Sequence, residues 1–179
     1  ISKQLQKHGV SKSAVSRRVI EESQKALNSF NERRWDKLNF SALLFDGVRF
    51  GKALVVVAVG IDKSGRKHIL GWQQGSTENE TVCRDLIRKL IDTGLDADGK
   101  YLFVLDGGKG LRKAIQLVFG VHSTIQRCHE HKIRDVEGYL PRKLRNRFRL
   151  KIQAALNQKT YRKASARLQK IRGELLLIS

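Results

Sequence analysis

Two aspartates stand in closely similar settings. Asp46 lies in L-L-F-D-G and Asp106 in F-V-L-D-G-G-K-G. Each follows apolar residues of strand type and precedes glycine. If the two strands are parallel neighbours, their axes lie about 4.8 Å apart. Both carboxylates then reach the crevice beyond the strand ends, where open α/β sheets place ligands. Two close carboxylates repel unless one is protonated or a cation lies between them. A hard divalent ion with oxygen ligands resolves that conflict. Paired Mg²⁺ ions about 3.5–4 Å apart can activate a water or a 3′-hydroxyl and stabilise the leaving oxygen of a phosphodiester, and Mn²⁺ is the substitute. Without a metal, each Asp-Gly pair is ordinary turn chemistry.

Two further stretches carry reactive residue types. Gly107-Gly108-Lys109-Gly110 could cradle a phosphate before a helix N-terminus, but it lacks the G-x-x-x-x-G-K-[ST] spacing. Its glycines are better read as backbone freedom beside a metal ligand. Cys128-His129-Glu130-His131 follows a strand directly. Cys128 and His131 could begin a zinc site, yet no second pair completes four ligands. Otherwise they lie one helical turn apart on one face, where they brace the crevice or touch a substrate backbone. His8, His68 and His122 are scattered. Cys83, Trp35 and Trp72 read as core or packing residues.

The elements that must position these residues follow from hydrophobic period. Residues 1–7, 8–10 and 11–23 read as helix, tight turn and helix. Ser11 caps the second helix, and Val15, Val19 and Ile20 give it an apolar face. Its other face shows Lys12, Ser13, Ser16 and Arg17, with Arg18 beside them, which suits phosphate and base-edge contacts. That is the recognition half of a helix-turn-helix, or else a plain helical hairpin. Strands are expected at 39–50, 53–61 and 67–74, the middle one a β-branched run bounded by Asp62-Lys63-Ser64-Gly65. Thr77 with Glu80 makes a capping box for a helix carrying Val82, Cys83, Leu86, Ile87, Leu90 and Ile91, which Gly94 ends. A short strand at 101–105, a helix through Leu111, Ala114, Ile115 and Val118, and a fifth strand at 122–127 follow. Beyond Pro141, two helical stripes remain: Leu144, Phe148, Ile152 and Leu156, then Tyr161, Ala164, Leu168, Ile171 and Leu175. Three strands in a meander, then strands joined by crossover helices, predict an α/β domain with a mixed five-stranded sheet and flanking helices.

Composition narrows the function. The chain has 179 residues, with 36 Lys and Arg against 17 Asp and Glu, a formal net charge of +19. It can bury roughly 70% of its unfolded surface, so it needs no disulfide or metal to fold. An excess of that size points to a polyanionic partner, most simply nucleic acid or an anionic membrane surface. No apolar run approaches the ~20 residues of a spanning helix, so a membrane partner is not expected. Two cysteines suit a reducing compartment. The charge is uneven: residues 39–126 carry a net of +3, and residues 127–179 carry +11. In that last block Arg142, Lys143, Arg145, Arg147 and Arg149 are candidate phosphate contacts.

Four stretches together resemble the bacterial mutator-type transposases, the insertion-sequence group related to plant mutator elements. They are S-K-S-A-V-S-R-R (11–18), F-D-G-V-R-F-G-K (45–52), V-L-D-G-G-K-G-L-R-K-A-I (104–115) and Q-R-C-H-E-H-K-I-R-D-V (126–136). The resemblance implies an RNase H-like core that uses a DDE triad and Mg²⁺ for DNA strand cleavage and strand transfer. Asp46 and Asp106 match the first two acids, and both would be metal ligands. Cys128 and His131 match the C-x-x-H signature. Arg134-Asp135 departs from the R-N of many relatives. The resemblance further implies double-stranded DNA as partner (terminal inverted repeats and target), a homo-oligomer when complete, and a bacterial cytoplasmic, nucleoid-associated location.

The third acid is expected to be a Glu after a long helical insertion, past Ser179. Glu174 does not match in its surroundings, while Glu130, Asp135 and Glu137 are possible substitutes on the helix after the fifth strand. The chain has no Met, even at position 1, and is expected to lack its natural beginning. The expected division is a partial helix-turn-helix and linker (1–38), an RNase H-like core with two acids (39–140) and the start of a basic helical insertion (141–179). Two other readings remain: a DNA-binding remnant without activity, and an RNase H-like nuclease acting on RNA–DNA hybrids.

Overall fold

The computed structural model describes residues 11–75 and 80–178. Helix α1 (Lys12–Asn31) starts where the Ser11 hydroxyl accepts a hydrogen bond from the Ala14 amide at 3.1 Å. It runs eight residues beyond the expected end at position 23, because no Gly or Pro interrupts 24–31. The Gln24–Asn28 side-chain hydrogen bond, at 2.9 Å, supports the extra turns. The expected first helix at 1–7 and Thr77 of the capping box lie outside the described residues.

Strands β1 (Phe40–Phe50), β2 (Ala53–Asp62) and β3 (Lys67–Gly75) form an antiparallel meander. Helix α2 (Glu80–Asp92) leads to β4 (Leu102–Leu105), and helix α3 (Lys109–Phe119) leads to β5 (Thr124–Arg127). The sheet order is β3-β2-β1-β4-β5, with β1, β4 and β5 parallel. This is the mixed five-stranded sheet that the alternation of elements predicts. Along β2, Leu54, Val56 and Ala58 are buried and alternate with half-buried Val55 and Val57, the period-two pattern of a strand with one covered face. That face packs on α2 and α3, whose buried stripes include Leu86, Ile87, Leu111 and Ile115. Gly94 (φ 103°) ends α2, and the Leu95 amide closes the last turn on the Leu90 carbonyl at 2.9 Å. Trp35 is buried in the same core, as expected, and its amide donates to the Thr93 carbonyl.

Three helices follow β5: α4 (His129–Gly138), α5 (Arg142–Leu156) and α6 (Tyr161–Leu176). They share a second core of Ile133, Leu140, Phe148, Ile152, Ala155 and Ile171, separate from the sheet's core. The stripes beyond Pro141 therefore bury where their spacing predicts, with Tyr161 left exposed.

Candidate active site at the ends of the parallel strands

The register of the parallel strands builds the site. Phe45 pairs with Leu105, and Leu105 pairs with Arg127. Asp46, Asp106 and Cys128 are each the next residue, so one level of the sheet carries all three side by side. The expected neighbourhood of Asp46 and Asp106 follows directly from this alignment.

The two aspartates differ in local structure. Asp46 and Gly47 are strand residues, paired with Val57 and Val56 of β2. The turn reading of this Asp-Gly is excluded, because β1 continues to Phe50. The Asp46 carboxylate is half exposed, and His131 Nε2 approaches its Oδ1 at 3.5 Å. Asp106 leaves β4 and does form a turn: its Oδ1 accepts from the Gly108 amide at 2.8 Å. Gly107 between them has φ 112°, a conformation that strains any residue with a Cβ. Lys109 then opens α3, so the glycines serve the turn out of β4.

Helix α4 brings in the C-x-x-H residues. Cys128 stands at its N-cap, and its amide donates to the Leu105 carbonyl at 2.6 Å. His131, one turn later, reaches across β4 toward Asp46. Its Nδ1 is buried and has no hydrogen-bond partner among the described residues. The imidazole therefore borders Asp46 at the ends of the parallel strands.

One contributor escaped the sequence reading. Arg127 Nε donates to the Asp106 carbonyl at 3.3 Å, and its Nη2 pairs with Asp135 at 2.5 Å. The guanidinium packs so closely on Gly107 that an added Cβ would stand 2.8 Å from Nε. Arg127 thus clips the turn carrying Asp106 to α4. A charged residue at the end of a strand, immediately before the C-x-x-H stretch, was its only signal.

The acids weighed as third ligands all face cations. Asp135 pairs with Arg127. Glu137 meets Arg149 at 2.5 and 2.8 Å, and Glu130 lies 3.4 Å from the same guanidinium. Glu174 pairs with Lys151 and, at 3.8 Å, with Arg147. The hydrogen bond from Arg149 holds the Glu137 carboxyl below its ordinary range, and that from Lys151 does the same for Glu174. Among the described residues no three His, Cys, Asp or Glu side chains gather as a metal site. The zinc reading of Cys128 and His131 gains no support.

The predicted phosphate contacts divide. Lys12, Ser13, Ser16, Arg17 and Arg18 are exposed on the first turns of α1, and Arg142 and Lys143 on the first turn of α5. Arg145 Nε donates to the Leu140 carbonyl at 3.0 Å, and Arg149 is held by its two glutamates. Val19 and Ile20, expected to form an apolar packing face, are 59% and 64% exposed.

With this geometry in view, the chain was compared with known proteins. A family model described as "Transposase, Mutator family" matches residues 1–176. The chain belongs to that family. The transposase for insertion sequence element ISRM5 of Rhizobium meliloti (strain 1021) is 32% identical over 152 residues, covering 80% of this chain and 37% of that protein. The transposase for IS256 in transposon Tn4001 of Staphylococcus aureus is 30% identical over 148 residues, or 78% and 37% of the two chains. The transposase for IS6120 of Mycolicibacterium smegmatis is 28% identical over 140 residues. This Mutator-family chain thus spans 37% of the length of the first two relatives. The family resemblance read from the four stretches stands. Among the described residues, no helix of this Mutator-family chain is long and apolar enough to cross a membrane.

Proposed function

We propose that this chain carries the first part of a DDE-type catalytic core, of RNase H-like architecture, that cleaves and rejoins DNA at the ends of a transposable element. One observation carries the reading: Asp46 and Asp106, sixty residues apart in sequence, occupy the same level of adjacent parallel strands. The donors suit a divalent ion in kind, being hard carboxylate oxygens, and fall short in number. Asp46 and Asp106 would hold Mg²⁺, or Mn²⁺ in its place. When bound, such ions supply activation of a water or 3′-hydroxyl and neutralise the leaving oxygen.

The chain's own residues do the rest. The β1–β4 register sets the separation of the carboxylates, Arg127 and Gly107 fix the turn that aims Asp106, and His131 borders Asp46. The exposed start of α1 presents Lys12, Ser13, Ser16, Arg17 and Arg18 to duplex DNA as a recognition helix. The basic helices α5 and α6 belong to a helical insertion, and the third acid lies outside the residues described. Terminal inverted repeats and target DNA are the partners, with a homo-oligomer as the working assembly beside the bacterial nucleoid.

Asp46→Asn or Asp106→Asn in the element's transposase is expected to abolish strand cleavage in Mg²⁺ while leaving duplex affinity within about twofold. A variant that cleaves normally overturns the assignment. The pairing of Glu130, Asp135, Glu137 and Glu174 with cations favours a second reading, a DNA-binding protein without cleavage. A wild-type protein that binds element ends and never nicks them would establish it.

A further inference from the structure

We propose that the outer groove between α5 and α6 docks the phosphate backbone of duplex DNA. The proposal rests on the reading of this chain as a DNA-acting protein and names where the duplex lies.

The 127–179 segment has fifteen cations and four acids, and the structure sorts them by face. On α5, Lys143, Arg147 and Lys151 recur every four residues and form one stripe. On α6, Lys163, Arg167 and Lys170 form another, which Glu174 continues. Arg147 and Lys151 both contact Glu174, so the two stripes face each other across the groove between the helices. Arg149, two positions from Arg147 and from Lys151, lies about 160° away around α5 at 100° per residue. It points instead to Glu130 and Glu137 on α4. Six cations and one acid therefore line the groove on the flank away from α4. Lys143, Lys163, Arg167 and Lys170 are exposed, and their side chains make no ion pair or hydrogen bond among the described residues.

This arrangement opposes helix stability. Like charges four apart repel, and Lys143 sits at the positive end of the α5 dipole, in a first turn that holds no acid. An external polyanion relieves both. The two rows stand on helices whose axes are about 8–10 Å apart, between the ~6 and ~12 Å widths of the duplex grooves. With the helices antiparallel, the ridge extends about 20 Å, or some six base pairs. Single strands are gripped by stacking on aromatic rings, and neither stripe contains an aromatic residue. Tyr161 opens instead on the opposite flank, in a cleft it shares with Gln126, His129 and Arg172.

The test is fluorescence anisotropy of the 179-residue chain with a 20-base-pair duplex at 50–300 mM salt. Combined Lys163→Gln, Arg167→Gln and Lys170→Gln should reduce the slope of log affinity against log salt by about 2.7, at 0.9 per lost phosphate contact. The wild-type advantage then shrinks about 40-fold between 50 and 200 mM. Lys52→Gln, Lys63→Gln and Lys100→Gln, combined on exposed sites away from the groove, should leave the slope unchanged, and Arg167→Lys alone should keep it. Circular dichroism confirms that each variant folds. A groove variant matching the Lys52/Lys63/Lys100 control overturns the proposal and leaves the DNA-acting reading intact. A wild-type chain that binds no duplex overturns both. Equal or tighter binding of a single strand overturns the duplex assignment.

Discussion

Asp62 is nearly inaccessible, at 7% exposure, yet carries a carboxylate. Its Oδ1 accepts from the Ser64 amide and hydroxyl and from the Arg66 amide, and His68 Nε2 meets its Oδ2 at 2.7 Å. The Ser64 hydroxyl first, then His68, hold this carboxyl well below the ordinary range. A depressed folded-state pKa contributes stability that is fully present above the unfolded value near 4 and is lost as pH falls below it. Asp62→Asn is therefore expected to lower the urea midpoint at pH 7 and to flatten its decline between about pH 4 and 2. An unchanged acid limb would count against the β2–β3 turn as a pH-sensitive element. At this scale the sequence was legible where residue type declared the chemistry. Asp46 and Asp106 announced themselves by charge after apolar runs. Arg127 did not, because its role depends on the β4–β5 register, which places it beside Gly107.

The elements divide between two cores. Phe148 is completely buried among α4, α5 and α6, while Trp35 is buried in the sheet's core. Phe148→Ala should destabilise the three-helix unit by about 3–5 kcal/mol. Far-UV dichroism is expected to lose helix at lower denaturant while tryptophan emission, arising from Trp35 and from Trp72 on β3, stays native. Coincident loss of both signals would show that the cores unfold as one. Strand and helix types were readable because the period changed cleanly from two to 3.6. The end of α1 was not: its last eight residues, Gln24 to Asn31, offer only Leu27 and Phe30 as large apolar side chains, both partly buried, and are further held by the Gln24–Asn28 pair and by Lys89, which donates to Asn31 Oδ1 at 3.1 Å.

Across the whole molecule, the formal charge of +19 opposes compaction. Added salt screens exposed like charges, so the thermal midpoint should rise between 20 and 300 mM sodium chloride, read by scanning fluorimetry. A falling midpoint would show that the internal pairs, such as Arg149 with Glu137, outweigh the repulsion. Total charge and its bias toward the C-terminal block were visible in the sequence. Which cations remain available was not, since Arg145 and Arg149 differ from exposed Arg142 only in the position they occupy once the helices pack.

Helix α1 has no buried residue among its twenty. Its last residue is tied to the body through Lys89 and Asn31, and the chain beyond it is pinned at Trp35. A rod of about 30 Å whose ties among the described residues lie at one end behaves as a lever. Each 10° pivot at Asn31 sweeps Lys12 through about 5 Å, more than the rise of one base pair. If α1 reads duplex DNA as proposed, its tip can shift by a base-pair step while Asp46 and Asp106 stay fixed in the sheet.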